Sequence, residues 1–113
     1  MQQISIDDFQ KVSICVGTIL SAKPNEKANK PAFVLEIDFG DQGIKTTSAQ
    51  ITDLYDTEDL PGRQVVAVMN FPPLRVAGVK SEVLVLGALA DDGVVLLQPD
   101  PTVKKLNNGT LVS

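Results

Sequence analysis

The reading of this chain turns on residues 70–87, Asn70-Phe-Pro-Pro-Leu-Arg-Val-Ala-Gly-Val-Lys-Ser-Glu-Val-Leu-Val-Leu-Gly87. They follow Gln64–Met69, a near-continuous apolar run that reads as a strand buried on both faces. Pro72 and Pro73 then stop it. Neither has an N–H to give to a ladder, and both fix φ, so the chain leaves the strand through a stiff, extended corner. A mixed loop leads to Gly78, where a positive φ or a close backbone approach is tolerated, and Val83–Leu86 is apolar again. Arg75 and Lys80 are the cations of the corner, Asn70 and Ser81 its neutral hydrogen-bonding groups, and Phe71, Leu74 and Val76 its apolar members. Greasy and cationic groups on a rigid turn suggest a binding surface. The same residues also suit a proline-stiffened hairpin corner whose charges are simply solvated.

Upstream of the corner, Ser5-Ile6-Asp7-Asp8 predicts a short helix, with Ser5 as its cap and two acids at the positive end of the dipole. Val12–Leu20 is rich in β-branched residues and reads as a strand, with Gly17 suited to a bulge or a tight barrel bend. Lys23–Pro31 is a polar loop. In Ala32–Phe39, Phe33, Leu35, Ile37 and Phe39 share one face and Glu36 and Asp38 the other, the pattern of a half-buried antiparallel strand. Gly40-Asp41-Gln42-Gly43 turns it into Ile44–Ser48. Ile51, Leu54 and Tyr55 are spaced for one or two helical turns over Ala49–Tyr55, leading into an acidic segment, Asp53–Asp59, that Pro61-Gly62 ends.

Downstream, Ser81–Leu89 and Gly93–Leu97 read as strands paired across Asp91-Asp92-Gly93, and Thr102–Ser113 as a tail with short strands around Asn107-Asn108-Gly109. Five or six short strands with glycine and proline turns predict an all-β domain over residues 1–113. A partly open five-stranded Greek-key barrel with a short N-terminal helix and a short helical turn fits that count. The apolar residues of the N-terminal segment (Ile4, Ile6, Phe9, Val12) and of tail 100–113 exceed what one such barrel holds, which predicts a two-fold homodimer or a covered sheet edge.

Composition narrows the function. Among 113 residues, 43% are hydrophobic and 21% charged, as in an ordinary globular domain. No apolar run is long enough to span a bilayer and the N-terminus lacks the basic start of a signal peptide, so a cytoplasmic protein is expected, without membrane insertion. Cys15 is the single cysteine, and there is no histidine. A thiolate cage, an imidazole base and the commonest zinc ligand are therefore unavailable, and neither a Walker loop nor a strand-linked G-x-G-x-x-G occurs. The expectation is a non-enzyme with no metal and no cofactor. A net charge of −4 argues against a broadly basic nucleic-acid binder, but Arg63 to Ala90 holds three cations against the one acid Glu82, leaving room for a local basic patch.

Three blocks carry a resemblance. Asp8-Phe9-x-Lys11-Val12-x-Ile14-x-Val16-Gly17-x-Ile19, then Ser48-Ala49-Gln50-Ile51, then the corner from Asn70 to Gly87 resemble the tRNA-binding-domain family, found at the C-terminus of some methionyl-tRNA synthetases and as free-standing proteins. Within it they are similar to the small free-standing branch of CsaA-type secretion chaperones, over about residues 6–99. The resemblance implies an OB-fold homodimer similar to binders of structured tRNA. For the secretion branch it implies a chaperone of exported preproteins working with the translocation ATPase SecA. It places Asn70, Pro73, Arg75, Gly78 and Ser81 in the family's nucleic-acid-facing loop, with Phe71 beside them. Cys15 and Leu74 stand where relatives commonly carry basic residues, and both departures point from tRNA toward a peptide client.

The expected function is thus ATP-independent holding of unfolded preprotein segments in an apolar groove bordered by Phe71, Pro73, Leu74 and Val76, with the acidic segment attracting positive flanks. The alternative is tRNA or structured RNA on the same loop. There Arg75, Lys80 and Lys30 contact phosphates, Asn70 and Ser81 bond sugar or phosphate oxygens, and Phe71 stacks on a base.

Overall fold

The computed structural model describes all 113 residues. Helix α1 (Ile6–Gln10) carries a reciprocal capping box: the Ser5 hydroxyl accepts from the Asp8 N–H at 3.1 Å, and the Asp8 carboxylate accepts from the Ser5 N–H at 3.3 Å. Strand β1 (Ile14–Pro24) is the spine. Its first half pairs with β4 (Gln64–Val68) and its second half with β2 (Phe33–Asp38), which pairs in turn with β3 (Ile44–Ala49). The tail returns as β10 (Leu111–Val112) beside Ile14 and Cys15, so the very start of β1 has a neighbour on each edge. Beyond β4 lies β7 (Leu84–Val85), giving a six-stranded antiparallel sheet in the order β3-β2-β1-β4-β7, with β10 off that path.

The sheet curls until its ends meet. Glu82 donates its backbone N–H to the Thr46 carbonyl at 2.9 Å and accepts from the Thr46 N–H through its carboxylate at 3.0 Å. Beside it the buried Thr47 hydroxyl donates to the Val83 carbonyl at 2.8 Å. These few bonds stand in for a full ladder, so the barrel is nearly closed: a small OB-fold. Two hairpins project from its closing side, β5 (Leu74–Val76) with β6 (Val79–Ser81), and β8 (Gly87–Ala90) with β9 (Gly93–Leu96).

The core follows the alternation of β2: Phe33, Leu35, Ile37 and Phe39 are all buried, with Ile19, Ile51, Leu60, Val65 and Ala67 around them. Several details differ from the sequence reading. Gly17 makes no bulge; a Cβ there would lie 2.6 Å from the Phe39 ring, so the glycine lets that ring lie against the strand. The register shift falls between Ile19 and Ser21. Strand β4 buries Val65, Ala67 and Val68 but leaves Gln64 and Val66 half-covered, so its second face is closed only at the Val68 end. Residues 50–55 form turns without a helix, and the short helical elements beyond α1 are two 3₁₀ turns, Gly40–Gln42 in the turn between β2 and β3 and Thr57–Asp59 inside the acidic segment. The expected strand Ser81–Leu89 is broken into the ends of β6, β7 and β8, since consecutive parts of it serve different partners. Cys15 is wholly buried in the core cluster, so it contributes nothing to the surface of this chain.

Candidate binding groove and basic hairpin

The proline corner delivers the chain into a tight hairpin where a mixed loop was expected. Leu74–Val76 and Val79–Ser81 pair across two residues, Ala77 at φ 46° and Gly78 at φ 81°. Positive φ at both central positions is the requirement of a type I′ turn, whose twist matches that of the strands it joins. The signal was present in the sequence: two short alternating runs, Leu-Arg-Val and Val-Lys-Ser, around one X-Gly pair.

Because strand side chains alternate, this hairpin separates residues that are neighbours in sequence. Leu74, Val76 and Ser81 face a cavity of about 730 Å³. The cavity lies between the two projecting hairpins and over the end of β3; Phe71, Leu84, Leu89 and Leu96 are among the other apolar residues that line it. Phe71 is 54%, Leu74 66% and Leu89 87% exposed, so nothing in the chain covers this surface. The β8–β9 side of the lining escaped the sequence reading, because those residues serve as an ordinary hairpin until the fold sets them opposite Phe71. Pro72 lines the cavity, whereas Pro73 is exposed and leads into β5 without lining it.

Arg75 and Lys80, directly opposite each other in the register, lie on the reverse face and do not line the cavity. The Arg75 guanidinium donates to the Gly78 carbonyl at 3.2 Å. Lys27, which the sequence gave no reason to select, lies over the same turn: a Cβ at Gly78 would sit 3.0 Å from Lys27 Cδ and 3.6 Å from its Nζ. The buried Asn25 holds that approach by accepting from the Lys27 N–H at 3.3 Å and donating to the Ser48 hydroxyl at 3.2 Å. Lys30 is exposed farther along the same connection and has no hydrogen bond or ion pair to the hairpin. Arg63, the third cation of the region, is elsewhere: its side chain bonds the Asp59 carbonyl and stands 5.4 Å over the Tyr55 ring.

The two neutral polar candidates are engaged within the protein. Asn70 accepts from the Ser13 N–H at 2.9 Å and donates to the Lys11 carbonyl at 2.7 Å, clasping the chain after α1 to the end of β4. The Thr47 hydroxyl spends its proton on Val83, so Ser81 is the donor in their 2.8 Å contact, which fastens β6 to β3. Asp53 packs against Gly93, bringing the acidic segment beside the Asp91-Asp92 turn of the β8–β9 hairpin, whose Leu89 and Val94 line the cavity.

A nearly closed β-barrel that displays an uncovered apolar cleft and a separate cationic hairpin face defines a small binding domain of the OB class. Comparison with known proteins agrees. Residues 14–108 match the family model described as "Putative tRNA binding domain", and the chain belongs to that family. It is 36% identical over 110 residues to the methionine–tRNA ligase of Methanococcoides burtonii and 38% identical over 111 residues to that of Archaeoglobus fulgidus. These alignments cover 96% and 98% of this chain but only 16% of each ligase. Among solved structures, the chaperone CsaA of Bacillus anthracis superposes with a TM-score of 0.87 at 50% identity, covering 99% of this chain and 100% of that one. The CsaA chaperone protein of Picrophilus torridus gives 0.91 at 44% identity, covering 98% and 100%.

Proposed function

We propose that this protein is an ATP-independent chaperone of the CsaA type, holding unfolded segments of exported preproteins in the cytoplasm. The observation that carries the reading is the uncovered apolar cleft beneath the proline corner, of the size that takes several side chains of an extended segment. Asp53, Asp91 and Asp92, gathered at the turn of the β8–β9 hairpin, supply charge complementarity for a client whose apolar stretch is flanked by lysine or arginine. Holding needs only reversible burial of apolar surface, which is favourable without nucleotide.

The working form in this reading is a homodimer. Ile4, Ile6, Val103 and Leu111 are strongly exposed, and a second copy is the simplest cover for them. Two clefts per dimer strengthen attachment to one long client by linked binding, and the translocation ATPase SecA is the partner to which the client passes. Sedimentation at micromolar concentration should give twice the 12.1 kDa monomer mass; a clean monomer overturns the dimer.

The cleft is tested with Phe71→Ser/Leu74→Ser, scored by light scattering of a chemically unfolded model protein diluted into buffer. Suppression of aggregation should be lost while the melting temperature and sedimentation stay as in the parent. Full suppression by the double variant removes the cleft from the mechanism.

A second reading, tRNA or structured RNA as ligand, is favoured by a different observation: Arg75, Lys80 and Lys27 converge on one turn without a carboxylate partner, as Lys11–Asp8 is the sole ion pair of the protein. Filter binding of tRNA at two salt concentrations tests it. Micromolar affinity that falls with salt and is lost in Arg75→Ala supports it, and no binding at low salt excludes it.

A further inference from the structure

The start of β1 has a neighbour on each edge only because the tail comes back to it. Ile14 and Cys15 pair with β10. Just before β10, the Val16 N–H donates to the Thr110 carbonyl at 2.9 Å, and the Gly109 N–H donates to the Val16 carbonyl at 2.7 Å. Strand β2 takes over that edge from Thr18 onward. The turn that leads into this return, Asn107-Asn108-Gly109, is seated on the Phe39-Gly40 turn. A Cβ at Gly109, which takes φ 91°, would lie 2.7 Å from the Phe39 carbonyl oxygen, and one at Gly40 would overlap the Asn108 carbonyl. Asn108 is half-buried, and its side-chain oxygen accepts from the Thr18 hydroxyl at 2.6 Å. The packing therefore requires glycine at 109 and favours asparagine at 108. Together they make the one Asn-Gly pair of the chain, whose other asparagines precede Glu26, Lys30, Phe71 and Asn108.

An Asn-Gly pair is chemically labile, because glycine has no Cβ to shield its amide nitrogen. That nitrogen attacks the asparagine side-chain carbonyl carbon and closes a succinimide; its proton leaves with the side-chain amide as ammonia. Water then opens the ring to aspartate or to isoaspartate. In the docked tail both groups are held out of this reaction: the Gly109 N–H is committed to Val16, and Thr18 holds the Asn108 side chain. We propose that Asn108 is a deamidation site guarded by the docked tail, reacting only in chains whose tail has left β1. The isoaspartyl product runs the backbone through the former side chain and adds one carbon to it between residues 108 and 109. The Gly109 N–H and the Thr110 carbonyl then lose their register with Val16, and Ile14–Val16 is left as an unpaired strand edge. The aspartyl product keeps an acceptor for Thr18 and redocks. Deamidation thus converts a transient release of the tail into a permanent one in part of the molecules.

The test is to age the full chain in mildly alkaline buffer, folded or unfolded in urea, and to map deamidation by peptide mass spectrometry. Asn108 should react before any other asparagine. Its rate in the folded chain should be roughly 5- to 150-fold below that in the unfolded chain, the factor that two hydrogen bonds supply. Thr18→Val removes one of them; folded, it should react about 2- to 12-fold faster than the parent, and unfolded at the parental rate. Thr18→Ser should restore the slow reaction. In the isoaspartyl chain, separated chromatographically from the aged sample, the Val16 amide should exchange faster with deuterium while that of Leu35 stays as in the parent. Asn108→Asp should show parental exchange at both. Equal rates in folded and unfolded chains, an unchanged rate in Thr18→Val, earlier reaction at another asparagine, or parental Val16 exchange in the isoaspartyl chain each overturns the inference.

Discussion

Asn70 gives the sharpest separation between a ligand contact and an internal clasp. Its side chain makes two hydrogen bonds to the backbone of the segment that follows α1, at 2.9 Å from the Ser13 N–H and 2.7 Å to the Lys11 carbonyl. Asn70→Ala removes both. A net contribution of about 0.5–1.5 kcal/mol per bond applies, and the exposed setting lets water reach the freed groups, so the lower half of the range holds. The expected loss is about 1–2 kcal/mol. For a domain of this size that lowers the melting temperature by about 4–8 °C. The connection is not severed, because the Met69 N–H still donates to the Ser13 carbonyl at 2.8 Å. Asn70→Asp should be at least as damaging: it keeps the acceptor for Ser13 but sets a carboxylate oxygen against the Lys11 carbonyl. Urea unfolding monitored by far-ultraviolet circular dichroism reads the stability, and filter binding of tRNA on the same samples reads the ligand. A stability loss below about 0.3 kcal/mol refutes the clasp, since surface substitutions without a role fall in that range. Lost RNA affinity with undiminished stability would instead make Asn70 a direct contact.

Other substitutions probe the barrel and its hairpin. Gly17→Ala drives a methyl to within 2.6–2.8 Å of Phe39 and Ile37, two fully buried side chains. Overpacking of this kind costs about 1–3 kcal/mol, only partly offset by the better strand propensity of alanine, so a clear fall in the urea midpoint is expected and an unchanged midpoint counts against the close packing. Ala77 takes φ 46° in the hairpin turn. Ala77→Asn creates the Asn-Gly pair preferred there and should stabilise by roughly 0.5–1 kcal/mol; a lower melting temperature would contradict a type I′ turn. The Thr102 hydroxyl donates to the Asp100 carboxylate at 2.6 Å and the Thr102 N–H donates to it at 2.9 Å, holding its pKa below the ordinary carboxylate value. A depressed pKa means stability present at neutral pH and lost as pH falls through the folded-state value. Thr102→Ala should raise the Asp100 midpoint toward the ordinary value in a carboxyl-carbon NMR titration, and identical midpoints would refute the contact.

Much of this protein is written in short-range pattern. The alternation of Phe33, Leu35, Ile37 and Phe39 specifies a one-sided strand, because side chains on a pleat repeat every second residue. The Ser5–Asp8 box specifies the helix start and Pro72-Pro73 the end of β4, since each acts on bonds within a few residues. The apolar half of the candidate site was equally legible in Phe71, Leu74 and Val76, whose place beside a rigid corner keeps them outside the core. What the sequence could not decide was partnership. Whether Arg75 shares a surface with Leu74 depends on the corner closing as a two-stranded hairpin, and pleating then sends the two side chains to opposite faces. Lys27 joins Arg75, and Leu89 faces Phe71, only because the curled sheet brings distant connections together. Asn70 and Ser81 look like free hydrogen-bonding groups until the backbone that needs them, Lys11, Ser13 and Thr47, has been folded into place. Local chemistry fixes the conformation of a segment; what its side chains touch is set by closing the barrel, which depends on contacts across the whole chain.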